Sequence, residues 1–176
     1  MDFFKFYDLP ITFLLDEKAL KQKYYALSRK FHPDFYTRED AVKQQEILEQ
    51  STLNTRAYKT LSDFDERVKY ILELKGEMNE GDKQNIPNDF LMEMMDINES
   101  VMDLKTDFDA EKYAQTVAEV RQMQTDLYAD VKPVLENYED NAVTPADLKK
   151  VKEFYLKKRY LLRLENNLAT FVPLLK

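Results

Sequence analysis

Apolar residues recur along this chain at intervals of three and four, the spacing of one face of a helix. Polar and proline-containing stretches cut the pattern into separate segments. A short first helix starts near Asp2 and stops before Leu9-Pro10, because a proline disfavours helical backbone in the residue before it. A second runs from about Asp16, whose carboxylate can cap it, to Phe31, with Leu20, Tyr24, Leu27 and Phe31 as its stripe. Pro33 pushes His32 out of the helical region and ends it. A third opens at Thr37, with Asp40 three residues on as a capping-box variant, and continues to about Leu61 through Val42, Leu48, Leu53 and Ala57. Ser62 with Asp65 repeats that pattern and opens a fourth, which ends near Lys75-Gly76.

Residues 76–87, GEMNEGDKQNIP, hold both glycines of the chain, a proline and mostly polar side chains. They read as a linker between two domains, residues 1–75 and 88–176. Three longer helices follow. The first spans about 88–105. The second spans about 109–138, with Pro133 expected to kink or break it. The last begins at Thr144-Pro145-Ala146-Asp147, a capping Thr, a proline at the first helical position and an acid at the third, and runs to about Thr170. Long helices with short connections predict an up-down-up bundle. Tyr113, Val117, Val120, Leu127, Val131 and Val134 on the second helix, with Leu161, Leu164 and Leu168 on the last, form its expected core.

The helix after the linker has two faces. Phe90, Met94, Ile97, Val101 and Leu104 fall on one stripe, which Phe108 extends. Leu91, Met92, Met95 and Met102 lie on the opposite side among Asp96, Glu99 and Asp103. A surface helix needs only one apolar stripe. A second one, rich in Met and framed by acids, points to an adaptable binding surface. The competing reading is a central helix covered on both sides. The carboxylates argue against it, because unpaired buried charge is expensive.

Composition narrows the class. The 176 residues contain 2 Gly against 11 Phe and 11 Tyr, which disfavours turn-rich sandwiches and barrels and supports an all-α fold. With 0 Cys there is no disulfide, thiolate metal site, iron–sulfur ligation by this chain or cysteine nucleophile, and 1 His argues against a protein-only zinc site. A net charge of −7 disfavours nucleic acid as a partner. No apolar run approaches the roughly 20 residues that span a bilayer. The start, MDFFKFYDLP, lacks signal- or transit-peptide character, so a cytoplasmic protein is expected. Residues 1–75 hold 13 basic and 13 acidic residues, and the remainder 13 and 20, so the second part carries the whole excess. Its cluster Lys157, Lys158, Arg159 and Arg163 is expected to pair with acids of neighbouring helices.

The single histidine sits in His32-Pro33-Asp34, directly after a helix bearing Lys18, Lys21, Lys23, Arg29 and Lys30. Read alone, the tripeptide is a helix stop and a rigid surface corner. The order of short aromatic helix, basic helix, His-Pro-Asp loop and long returning helix resembles the J domain of the DnaJ-type co-chaperones over about residues 1–75. That resemblance implies that His32, Pro33 and Asp34 contact an ATP-hydrolysing chaperone of the DnaK/HscA class, with Lys21, Tyr24 and Lys30 at docking positions. Tyr25 and Ala26 stand where basic residues are common in that family.

Residues 90–103, FLMEMMDINESVMD, look like the scaffold-binding helix of the HscB-type J proteins, co-chaperones of iron–sulfur cluster assembly. This similarity extends over the full length. It implies a J domain followed by a three-helix bundle in an L-shaped two-domain arrangement. By position it assigns scaffold contacts to Leu91, Met92, Met95, Asp96, Glu99 and Asp103. An aromatic of the last helix joins them; Arg159-Tyr160-Leu161 is the best match, which gives Tyr160, with Phe154 the alternative. Some members carry an N-terminal cysteine metal module; this chain has none, so no metal or cofactor is implied. The expected function is stimulation of the chaperone ATPase and delivery of an IscU-type iron–sulfur scaffold, with no enzymatic chemistry by this chain. The alternatives are a general J-domain co-chaperone for unfolded clients and a helical adaptor with no chaperone link. A hydrolase built on His32 and Asp34 lacks a nucleophile motif.

Overall fold

The computed structural model describes residues 2–79 and 86–175, and the regular structure among them is helical. In chain order the helices are α1 (Phe3–Phe6), α2 (Glu17–Lys30), α3 (Ala41–Ser62), α4 (Phe64–Leu74), α5 (Asn88–Glu93), α6 (Met95–Thr106), α7 (Ala110–Glu136) and α8 (Pro145–Ala169). Short 3₁₀ turns occupy Pro33–Tyr36 and Val172–Leu175. The expected linker lies partly outside the described residues, which stop at 79 and resume at 86. None of these helices is long and apolar enough to cross a membrane.

Contacts divide the chain into two units, Met1–Leu74 with Tyr138–Ala142, and Lys75–Asn137 with Val143–Lys176. In the first unit, α2 and α3 pack as a hairpin that α1 and α4 close. The Asp16 carboxylate accepts from the Lys18 and Ala19 amides and starts α2. Helix α3 begins at Ala41 rather than Thr37, because Asp40 has the extended backbone of a cap and accepts from the Lys43 amide at 2.8 Å. Ser62 is still helical, and Asp63, not Ser62, caps α4 by accepting from Glu66 N–H at 2.9 Å. Phe4, Tyr7, Phe13, Leu20, Leu61 and Ile71 are among the buried side chains.

Two buried polar side chains tie this unit together. Asn54 accepts from the Tyr7 hydroxyl at 2.7 Å and donates to Ser28 Oγ at 2.9 Å and the Tyr24 carbonyl at 3.2 Å. Arg67 donates to the carbonyls of Phe13 and Leu61, satisfying a helix C-terminus. Burial holds its pKa below the ordinary arginine value.

In the second unit the single helix expected over 88–105 is two, joined at Met94 (φ −80°, ψ −8°). Met94 keeps a near-helical backbone and stays buried, so the apolar stripe runs on through the joint. Helix α7 is capped by Asp109, which accepts from Lys112 N–H at 2.7 Å, and is not broken at Pro133. That proline falls in the last turn, where only one intrahelical N–H is lost, and the Asn137 amide and side chain both donate to its carbonyl. Helix α8 opens with the expected capping box between Thr144 and Asp147. Phe90, Met94, Ile97, Val101 and Leu104 meet Val120 of α7 and Leu161, Leu164 and Leu168 of α8 in one core cluster. Val131 is also buried, whereas Tyr113, Val117, Leu127 and Val134 are half-buried.

Candidate partner-binding sites

The corner after α2 follows from its proline. His32 takes the extended backbone (φ −72°, ψ 121°) that a following proline requires, and caps the 3₁₀ turn. Its Nδ1 accepts from the Asp34 amide at 3.3 Å, which leaves Nε2 as the ring nitrogen available to a partner. The Asp34 carboxylate lies 3.7 Å from Nδ1. His32, Pro33 and Asp34 are all exposed. The Tyr36 hydroxyl donates to the Lys30 carbonyl at 2.8 Å, and Gln44 donates to the carbonyls of Thr37 and Glu39. The turn is thus fixed to both flanking helices while the His32 ring and the Asp34 carboxylate remain exposed. An open groove of about 370 Å³ borders it, lined in part by Pro33, Asp34, Tyr36, Ala41, Gln44 and Leu48.

Along α2, Lys21 and Lys30 are exposed. Lys23 is engaged by Asp8, through its carbonyl at 2.8 Å. Tyr24 is half-buried, stacked on Tyr58 with centroids 4.2 Å apart, so its ring holds the hairpin together. The open aromatics here are Tyr25, 54% exposed, and Phe35, 74% exposed. The sequence pattern marks neither as a site. The signal for Tyr25 was its position off the Leu20-Tyr24-Leu27-Phe31 stripe.

The second site lies on α5 and α6. Met92, Met95 and Met102 are 70%, 65% and 68% exposed, and Leu91 is also exposed, whereas Met94 is 0% exposed. The side chains alternate because positions 94, 97, 101 and 104 turn inward and the others outward. Asp96 and Glu99 are exposed beside the methionines. Asp103 accepts from Lys112 Nζ at 2.6 Å, so its charge is partly engaged within the unit. Tyr160 of α8 is brought to α6 by its hydroxyl, which accepts from Asn98 Nδ2 at 2.7 Å. Its ring meets Phe90 edge-on at 5.7 Å. Phe154 is 3% exposed and belongs to the interior, which leaves Tyr160 as the more accessible of the two aromatics.

Three members of the basic cluster of α8 do not pair as expected. Lys157 Nζ sits over the Phe90 ring at 5.4 Å, Arg159 over Tyr155 at 5.7 Å and Arg163 over Tyr160 at 5.3 Å. Among the described residues these three form no ion pair with an acid; aromatic rings of α5 and α8 take the place of the expected carboxylates. Among the described residues no group of three His, Cys, Asp or Glu side chains is placed to hold a metal ion.

Residues 86–169 match the family model described as the HSCB C-terminal oligomerisation domain. Over 168 residues the chain is 30% identical to the iron-sulfur cluster co-chaperone protein HscB of Mus musculus, covering 95% of this chain and 67% of that one. It is 38% identical over 108 residues to the co-chaperone protein HscB of Buchnera aphidicola subsp. Acyrthosiphon pisum, covering 60% of this chain and 61%, less than two thirds, of the relative. The solved structure of the chaperone HscB from Vibrio cholerae superimposes over 100% of both chains with a TM-score of 0.72 and 25% identity. With the exposed His-Pro-Asp corner in one unit and the HscB-type bundle in the other, the chain belongs to the HscB co-chaperone family.

Proposed function

We propose that this chain activates the ATPase of a DnaK/HscA-class chaperone through its first unit and delivers to it an IscU-type iron–sulfur scaffold held by its second. The observation that carries this reading is the presence of two open surfaces of different chemistry on separate units. One is the fixed corner of His32, Pro33 and Asp34; the other is the methionine face framed by Asp96 and Glu99. The corner offers His32 Nε2 and an acceptor at Asp34, and its fixed backbone lowers the ordering cost of binding. Lys21 and Lys30 on α2 favour an acidic partner surface and speed encounter with it. On the bundle, Leu91, Met92 and Met95 supply adaptable apolar contact, and Asp96, Glu99 and Asp103 supply charge. Tyr160 flanks that face through Asn98.

In this mechanism the partner chaperone performs the chemistry, ATP hydrolysis. The chain brings chaperone and scaffold together, so that two modest affinities act at high effective concentration. ATP hydrolysis then closes the chaperone on the scaffold and promotes cluster transfer. The test is His32→Gln, assayed for chaperone ATPase stimulation and for scaffold binding. Stimulation should vanish and scaffold binding should be unchanged. Unchanged stimulation removes the corner from the mechanism.

A further inference from the structure

We propose that Met92, Met95 and Met102 are sites of reversible oxidation by hydrogen peroxide, and that their sulfoxides release the scaffold. The consequence for binding rests on the assignment of this face to the scaffold; the modification itself does not. The chain holds 7 Met; among the described residues three are exposed, and they share a single face of α5 and α6. Met78 and Met94 are buried, and Met123 is half-buried against the bundle core. Thioether oxidation follows exposure, so the structure sorts the described methionines into an open set and a protected set. The protected set includes Met94, next in sequence to Met95. The neighbouring carboxylates Asp96 and Glu99 do not repel a neutral oxidant such as hydrogen peroxide.

The chemistry balances. The peroxide O–O bond breaks, one oxygen bonds to the thioether sulfur, and the remaining oxygen leaves as water with both protons. Sulfur is oxidised by two electrons and the peroxide is reduced by two. Methionine sulfoxide reductases reverse the step, consuming a dithiol and returning water and a disulfide. The product matters because a thioether prefers an apolar contact and a sulfoxide is a strong, hydrated acceptor. Burying one in an interface without a donor weakens binding on the order of tenfold. The face offers carboxylates beside it, which are acceptors and cannot satisfy a sulfoxide. The His32-Pro33-Asp34 corner contains no methionine, so scaffold release leaves the chaperone-facing site intact.

The experiment treats the full chain with hydrogen peroxide and maps sulfoxides by peptide mass spectrometry. Binding of an IscU-type scaffold is then measured by calorimetry before and after. Met92, Met95 and Met102 should oxidise first and Met94 and Met78 last. Scaffold affinity should fall about tenfold or more, recover on treatment with methionine sulfoxide reductases, and resist peroxide in M92L/M95L/M102L. Equal oxidation of Met94 and Met95 in the folded chain overturns the proposal. So does unchanged affinity of the oxidised chain when M92A/M95A/E99A, unoxidised, binds weakly. If that alanine variant also binds normally, the assignment of this face to the scaffold fails as well, and release by oxidation falls with it.

Discussion

Met94 and Met95 are adjacent in sequence and opposite in environment, and replacing each with alanine separates core from interface. Met94 is buried at the joint of α5 and α6, within the cluster that includes Phe90, Ile97 and Leu161. Truncating it removes the thioether arm from a closed space and leaves a cavity, at a cost of about 2–5 kcal/mol. Met95 projects from the open face, and its truncation should move stability by less than about 0.5 kcal/mol. Urea titration of the full chain followed by circular dichroism reads the first quantity, and calorimetric titration with an IscU-type scaffold reads the second. Met94→Ala should lower the bundle's midpoint substantially. Met95→Ala should leave it in place and weaken scaffold binding by about 1 kcal/mol or more, the range of a well-packed interface side chain. If Met95→Ala destabilises as much as Met94→Ala, the second face is covered in solution and the interface is misassigned. If Met94→Ala costs nothing, the core described here is wrong.

Other outcomes follow from the same geometry. Asn54→Ala removes the side chain that bonds Tyr7, Ser28 and the Tyr24 carbonyl; it should destabilise the first unit by about 2–3 kcal/mol in chemical denaturation, and a loss under about 0.5 kcal/mol would show that water replaces it. Raising salt should slow association with the chaperone, and Lys21→Ala with Lys30→Ala should flatten that dependence in stopped-flow measurements; identical salt slopes would remove these lysines from the encounter. Asp147 is held below the ordinary carboxyl value of 3.8 mainly by the Thr144 hydroxyl, then by the Thr144 amide. A depressed folded pKa stabilises above the unfolded value and loses that stabilisation as pH falls through the folded one. The cap of α8 should therefore weaken below about pH 4, and Asp147→Asn should lack that acid limb in thermal melts; an unchanged limb would refute the assignment.

What could be read from the sequence was what local chemistry decides. The stripe Phe90-Met94-Ile97-Val101-Leu104 and the opposing methionines were legible because helical periodicity fixes the faces and the carboxylates name the wet one. Caps at Asp16 and Thr144 were legible because their bonds span only a few residues. The start of α3 was not, since Thr37 and Asp40 both qualify as caps and the choice is made by Tyr36 and Gln44 bonding backbone around the turn. The joint at Met94 has neither glycine nor proline to announce it. Tyr24 and Tyr25 could not be ranked without Tyr58, which lies on another helix. Arg67 reads as a surface cation, and only the fold supplies the carbonyls that bury it. Lys157, Arg159 and Arg163 found rings instead of acids, for which charge pattern gives no signal. Residues 138–142, which join the first unit, carry no pattern that assigns them to it.

Delivery requires both surfaces to act within one molecule. Measuring chaperone ATPase in the presence of scaffold with H32Q, with M92A/M95A/E99A, and with the two variants mixed tests this requirement. Each variant alone should fail to give the scaffold-coupled stimulation of the unaltered chain, and the mixture should fail equally, because neither molecule holds both partners. Full stimulation by the mixture would contradict the account, showing two independent activities rather than a delivery device.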